Sequence, residues 1–241
     1  MEGVPESGRR ADPASPMVEA ARRQGTPLAA GDLLVVSQKI VTKAEGRLVK
    51  PPEVTPSSPA TALAAEIDRD PRLVEVILGE SRRIVRQAKG VLIVETHHGW
   101  VCANAGVDQS NVDGDTACLL PADADASARD LRRRLNELTG HTLAIIVADT
   151  FGRPWREGLV NVAVGLAGIE PIVSYLGDTD PAGHVLQATI LAVADELASA
   201  AEPVMGKLDR IPAAIIRGAR WTAAEADSRP LQRDPARGLF P

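Results

Sequence analysis

Five consecutive apolar residues, Leu143-Ala144-Ile145-Ile146-Val147, form the clearest run of the chain. A run without polar alternation predicts a strand covered on both faces, here ending at Ala148-Asp149-Thr150. Leu33 to Val36 predicts a second buried strand, entered through turn signals at Pro27 and Gly31-Asp32 and left through Ser37-Gln38-Lys39. Three shorter strands are expected at Ser81 to Gln87, Gly90 to Glu95 and Gly99 to Ala103, and a last one at Ile211 to Arg217. Ile172 to Leu176 is a further apolar run, and Gly158 to Leu166 reads as a strand or a buried helix. Helical signals cover Met17 to Arg23, Pro59 to Arg69 with Ser58 as cap, and Pro71 to Leu78. They recur from Ser127, as a cap, to about Leu138 with a Gly140 stop, and over the Ala-rich stretch Pro181 to Ala201. Residues 1–16, Val49 to Ser58, Gly106 to Asp115 and 221–241 read as an arm, two loops and a tail. Strands and helices do not alternate regularly, which predicts an α+β fold of mixed sheets with packed helices. One domain over 1–241, divisible into two subdomains, accommodates the length.

The composition narrows the function. Hydrophobic residues make up 44% and charged residues 24%, enough for a sizeable core, while 2% aromatics leave Ala, Val, Leu and Ile to fill it. The net charge of −5 and the absence of a basic tract argue against nucleic acid and membrane surfaces as partners. A polyanionic substrate would therefore need local positive charge. No apolar stretch reaches a bilayer span and no signal segment opens the chain, so a cytoplasmic protein is expected. Cys102 and Cys118 are too few for a disulfide framework and lack zinc spacing; they read as small, buried, reduced residues.

Candidate chemistry gathers in four places. Asp149 and the Thr150 hydroxyl are hard oxygen donors of the kind a divalent cation takes, and Arg153 and Arg156 suit phosphate or carboxylate groups. The same residues also read as a surface loop whose Asp and Arg pair with each other. Asp108, within Ala105 to Asn111, is a second carboxylate for the same metal, and Asn111 can bond a base or ribose; a polar turn is the plainer alternative. Asp113 and Asp115 read as solvated turn residues. Ser37-Gln38-Lys39 with Lys43 offers cations to phosphates, or ordinary solvated lysines. Val204-Met205-Gly206-Lys207 lacks the spacing of a phosphate loop. His97 and His98, adjacent on a strand, would face opposite ways, one exposed and one packed. Trp100, Trp155 and Trp221 read as packing residues. Together these point to a metal-assisted site for an anionic ligand without naming a reaction.

Taken in order, four blocks resemble one family. They are Val35 to Gly46, Val94 to Asn111, Ala148 to Arg156 with Gly158, and Val204 to Lys207 followed by Ile211-Pro212 and Arg217-Gly218. The family is the coenzyme F420-0:γ-glutamyl ligases. The resemblance implies a GTP-dependent ligase with two divalent cations, Mg2+ or Mn2+, and K+ as an additional cation. It implies that GTP phosphorylates the lactyl carboxylate of F420-0, that L-glutamate attacks the acyl phosphate, and that further glutamates add through γ-carboxylates. It also implies an intertwined homodimer. Carried over, Asp108, Asp149 and Thr150 match metal positions, with a backbone oxygen of Gly206 for the second cation. Ser37, Gln38, Lys43 and Asn111 match nucleotide contacts, and Met205, Gly206 and Lys207 lie in a nucleotide-contacting loop. Asp108, Asp149 and Arg153 are the residues expected to carry catalysis. Glu2-Gly3-Val4-Pro5 resembles a further nucleotide loop that the family precedes with a strand. Met1 stands directly before it, so that strand is expected to be missing or to lie upstream of this start. A flavin-binding nitroreductase-like domain found in some relatives, and FMN with it, is not expected. Two other readings remain: a related ligase with another carboxylate acceptor, and a silent binder of nucleotide or F420.

Overall fold

The computed structural model describes residues 1–2, 12–110 and 114–237; Gly3, Val4, Pro5 and Asn111 lie outside them. In chain order the elements are α1 (Ala14–Arg23), β1 (Leu33–Ser37), α2 (Gln38–Glu45), β2 (Leu48–Val49), α3 (Ser58–Ile67) and α4 (Pro71–Gly79). β3 (Ser81–Ala88), β4 (Val91–Thr96), β5 (Val101–Ala103), β6 (Ala117–Cys118) and α5 (Ala124–Thr139) follow. The chain closes with β7 (Ala144–Arg153), β8 (Arg156–Ala167), β9 (Val173–Ser174), β10 (Ile190–Leu191), α6 (Val193–Met205) and β11 (Ala213–Ile216). The architecture is α+β, as expected.

The two runs expected as buried strands lie side by side. β1 pairs in parallel with β7, and the four-stranded sheet has the order β11-β1-β7-β8 with its other pairings antiparallel. Both faces are covered. Leu34, Val36, Ile145 and Val147 pack with residues of α1 and α5, while Leu33, Val35, Ala144 and Ile146 pack with residues of α6. That double coverage is why neither run alternates with polar residues. α5 meets β8 at Gly165, where an added Cβ would fall 2.3 Å from the Ala124 carbonyl carbon. A smaller unit sets α3 and α4 against the β3-β4-β5 sheet through Ile67, Val74, Ile77, Leu92 and Val94. Among the described residues no helix is long and apolar enough to cross a membrane.

Several elements differ from expectation for local reasons. Ser57, not Ser58, caps α3, its hydroxyl accepting from the Ala60 amide at 3.3 Å. Asp123, not Ser127, caps α5, because its carboxylate accepts the Ala126 amide at 2.8 Å and starts the helix four residues earlier. The helix expected over Pro181 to Ala201 begins only at Val193; Asp180 draws in the Ala182 and His184 amides and closes a turn instead. Gly158 to Leu166 is strand, since β8 pairs with β7 along its length. α1 starts at Ala14, and Met1 is buried with its ammonium donating to the Ala213 carbonyl at 2.6 Å, so these parts of the expected arm are helical or packed. His97 and His98 lie in the turn between β4 and β5, not on a strand, with His97 exposed and His98 half-buried. Trp100 and Trp221 pack on the core, but Trp155 stands 86% exposed at the tip of the β7–β8 hairpin, where φ is +61°. Cys102 and Cys118 are free thiols and buried.

One ion pair fixes the far end of the sheet. Asp32, 1% exposed, precedes β1, and Arg217 follows β11, so the antiparallel register brings them together. Asp32 accepts from Arg217 Nε and Nη2, both at 2.7 Å, and from the Ala29 amide at 2.8 Å. Burial pushes the Asp32 carboxyl up, but these donors outweigh it and hold it below the usual carboxylate range. A lowered folded-state value stabilises the fold above the unfolded value of about 4, and that stabilisation is lost as pH falls through the folded value. Asp32→Asn is expected to cost about 1–3 kcal/mol at pH 7. Thermal melts from pH 7 to pH 2 should show the gap to wild type closing below about pH 4.

Candidate functional site

β1 stops at Ser37, opposite Ala148, whereas β7 continues to Arg153 with β8 as its partner. Past Ala148 no strand among the described residues pairs with the edge of β7 that faced β1. Asp149 sits at that step. It is therefore within a long hairpin rather than beyond a strand end, because β8 keeps β7 extended as far as the Arg153–Arg156 pair. The pleat turns Asp149 and Thr150 to opposite sides of the open edge.

The first side holds the carboxylates. Asp108 is fixed by paired backbone hydrogen bonds with Cys118 beside β6, at 3.0 and 2.8 Å. Its side chain accepts from the Ser110 amide at 2.7 Å and hydroxyl at 2.8 Å, and pairs with Lys39 Nζ at 2.6 Å. Lys39 belongs to the first turn of α2, whose N-terminus Ser37 caps by accepting from the Lys39 amide at 3.4 Å. Lys43 lies four residues on, which puts both lysines on one face of α2. Gln38 is buried; its Oε1 accepts from Thr42 at 2.8 Å, and its Nε2 has no partner among the described residues.

The two carboxyls are driven in opposite directions. Burial pushes Asp108 up, but Lys39 and Ser110 outweigh it and leave the group below its ordinary value. Burial, reinforced by the charge of Asp108, pushes Asp149 up to about 6 despite the Thr150 amide, Lys39 and Lys207. A divalent cation would remove the cost of ionising both. Among the described residues no three His, Cys, Asp or Glu gather as a metal cage. Two carboxylates with open positions suit a cation of the Mg2+ type, which keeps waters and takes phosphate oxygens as its other ligands. Burial, and for Cys102 also the Asp149 charge, raises both thiols, Cys102 to about 12, so neither offers a thiolate nucleophile.

The second side holds Thr150. Its hydroxyl lies 2.9 Å from Asn161 Oδ1, and Lys207 Nζ reaches it at 3.4 Å. Asn161 in turn donates to Glu202 Oε2 at 2.8 Å. Gly206 ends α6 with φ +62°, and an added Cβ there would collide with the Asp209 carboxylate at 2.1 Å. Met205 is buried in the core under α6, so only its backbone is available to a ligand. Arg153 is not brought to the carboxylates; it sits at the hairpin tip, about 13 Å along the strand from Asp149, and donates to the Glu157 carbonyl at 3.3 Å. Glu2 is exposed near the N-terminus. Sequence reasoning grouped Lys39 with its neighbours without assigning it the ion pair to Asp108, and it passed over Asn161 and Glu202. A polar residue inside the apolar stretch Leu159 to Leu166 was the signal for Asn161.

The site gathers at the end of β1, around Asp108, Asp149 and the start of α2. A separate cavity of about 350 Å3, lined by His98, Trp100, Asp125, Arg129, Ser228 and Gln232 among others, includes neither Asp108 nor Asp149.

Residues 4–218 match a family model described as F420-0:Gamma-glutamyl ligase. The chain is 46% identical to a coenzyme F420:L-glutamate ligase of Methanothermobacter thermautotrophicus, across 99% of this chain and 97% of the relative. Proteins of the same name from Methanopyrus kandleri and Methanocaldococcus jannaschii are 45% and 40% identical. They cover 90% and 89% of this chain, and the matches span 88% and 86% of those relatives.

Removing the Asp108 charge is expected to lower the Asp149 value from about 6, since that charge helps to raise it. Carboxyl-carbon NMR titration of metal-free wild type and Asp108→Asn checks this; an unchanged Asp149 would mean that the two groups do not sense each other.

Proposed function

The chain belongs to the F420-0:gamma-glutamyl ligase family, and on that footing we propose that it joins L-glutamate to coenzyme F420-0 using GTP, then adds further glutamates through γ-carboxylates. In this reading the γ-phosphoryl group of GTP passes to the lactyl carboxylate of F420-0 and GDP leaves. The glutamate amine then attacks the acyl carbon, phosphate leaves, and an amide forms with loss of a proton.

The observation that carries the reading is the Asp108–Asp149 pair beside Lys39, Lys43 and Lys207. Phosphoryl transfer from GTP to a carboxylate brings several anions together, and cations must offset their repulsion. Asp108 and Asp149 would hold a divalent cation, Mg2+ or Mn2+; Thr150 and the Gly206 carbonyl would supply neutral oxygens to a second, and K+ is a further expected cation. When bound, such cations neutralise charge on the transferring phosphoryl group. Lys39 and Lys43 on α2 attract phosphate oxygens, and Lys207 approaches from the other side of β7. Gln38 Nε2, a buried donor without an acceptor among the described residues, suits a nucleotide oxygen. Ser37 sets the start of α2, whose first-turn amides favour an anion. No side chain need become a covalent nucleophile.

We also propose a homodimer. Leu159 on the hairpin and Leu208 after α6 are 66% and 87% exposed, and Val204, four residues before Leu208, is exposed as well. Apolar side chains this exposed suit a second copy. Buried, reduced cysteines fit a cytoplasmic location.

Mass spectrometry of the protein incubated with F420-0, L-glutamate, GTP and Mn2+ tests the reading. Products heavier by one or more glutamyl units, absent without GTP, are expected. Asp149→Asn should slow their formation at least about a hundredfold, as loss of several kcal/mol of metal-borne stabilisation requires. No product from folded protein, with another carboxylate acceptor consumed instead, would reassign the substrate.

A further inference from the structure

A carboxylate can only accept hydrogen bonds, so the contact between Glu202 Oε2 and Asn161 at 2.8 Å fixes which end of the Asn161 amide is NH2. The other end, Oδ1, must then face Thr150, at 2.9 Å. An amide oxygen is also an acceptor only, so the Thr150 hydroxyl has to donate to it. Its single proton is thereby committed. Both lone pairs of Thr150 Oγ1 are left for a cation or a donor, and Lys207 Nζ already sits 3.4 Å from that oxygen. The amide itself is firmly held. Asn161 is 5% exposed, its backbone pairs with Thr150 across the hairpin, and its carbonyl accepts from Ser199 Oγ at 2.8 Å on α6. Glu202 lies on the same helix, less than one turn from Ser199.

We propose that Asn161 and Glu202 are positioning residues that lock the Thr150 hydroxyl as an oxygen ligand for a divalent cation. The inference rests on the reading of Thr150 as a metal-site residue. Neither residue touches the cation. Glu202 orients the amide, the amide takes the hydroxyl proton, and the oxygen keeps its lone pairs for the cation. Without the amide, the hydroxyl rotates freely and one of its orientations presents hydrogen to the cation. The chain also couples the site to α6: a shift of α6 that parts Glu202 from Asn161 releases the hydroxyl.

Outer groups that orient metal ligands change affinity by about 10–100-fold when removed. The test is Mn2+ binding to the purified full chain, read from the electron paramagnetic resonance signal of free Mn2+, with thermal melts as a control on folding. Asn161→Ala and Glu202→Ala are expected to weaken Mn2+ binding at least about tenfold. Glu202→Gln, whose amide oxygen still accepts from Asn161, should bind within about threefold of wild type, well short of the loss set by an orienting group. In a Thr150→Ala background the Asn161→Ala change should add nothing, because its effect passes through the hydroxyl. Should Asn161→Ala prove too unstable to purify, the half-exposed Glu202 supplies the same comparison through its Ala and Gln variants. If Thr150→Ala weakens Mn2+ binding while Asn161→Ala and Glu202→Ala do not, or if the losses add in the double variant, the positioning role is overturned. A wild type or a Thr150→Ala variant showing no Mn2+ site that depends on Thr150 would overturn it together with the metal reading.

Discussion

Holding Asp108 and Asp149 as anions in one half-buried groove costs free energy, since like charges repel and burial strips away their water. The surroundings answer this in two ways. Lys39 neutralises Asp108 at 2.6 Å, supported by Ser110. Among the described residues Asp149 has no such ion pair, and burial with the Asp108 charge raises it to about 6, so a bound cation would relieve both costs. In the proposed reading the substrates are themselves polyanions, and the same cation would serve them as well as the carboxylates. The lysines of α2 and Lys207 extend the same logic outward, setting positive charge beside the carboxylates in a chain whose net charge is −5.

The sheet builds this arrangement from one mismatch in length. β1 ends at Ser37 while β7 runs five residues past the last β1 pairing, so a rigid, fully covered centre passes into a ribbon with one open edge. Functional side chains at that transition are held by the core on one side and reach solvent on the other. α2 starts where β1 stops and brings its capped N-terminus and Lys39 to Asp108, while α6, packed on the opposite face, ends in the Gly206-Lys207 turn. The core that supports both is built largely from Ala, Val, Leu and Ile, as the scarcity of aromatics demanded.

Much of this was legible in the chain itself. Double burial of Leu33 to Val36 and Leu143 to Val147 follows from runs without polar alternation, and the four blocks named the family. Asp108, Asp149 and Thr150 were identifiable as oxygen donors, but that Asp149 lies within a hairpin was not, because only tertiary pairing with β8 carries β7 past Thr150. The Pro181 to Ala201 stretch misled because its composition favours helix while Asp180 locally favours a turn. Ser127 suits a cap by preceding an apolar pattern, but Asp123 makes the earlier bond. Asn161 and Glu202 carried no motif; their meaning appears only when β8 and α6 are packed together. Arg153 matched its block in sequence yet stands at the hairpin tip, since adjacency along a strand is distance in space.

The central claim is that the groove between Asp108 and Asp149 is a divalent-cation site that receives a nucleotide. Anomalous diffraction at the manganese edge, from crystals grown with Mn2+ and GDP, tests it most directly. The account predicts an anomalous peak bridging the Asp108 and Asp149 carboxylates beside the open edge of β7, with phosphate oxygens completing the shell near Lys39 and Lys43. Manganese and nucleotide bound away from this pair, with Lys39 still seated on Asp108, would contradict it.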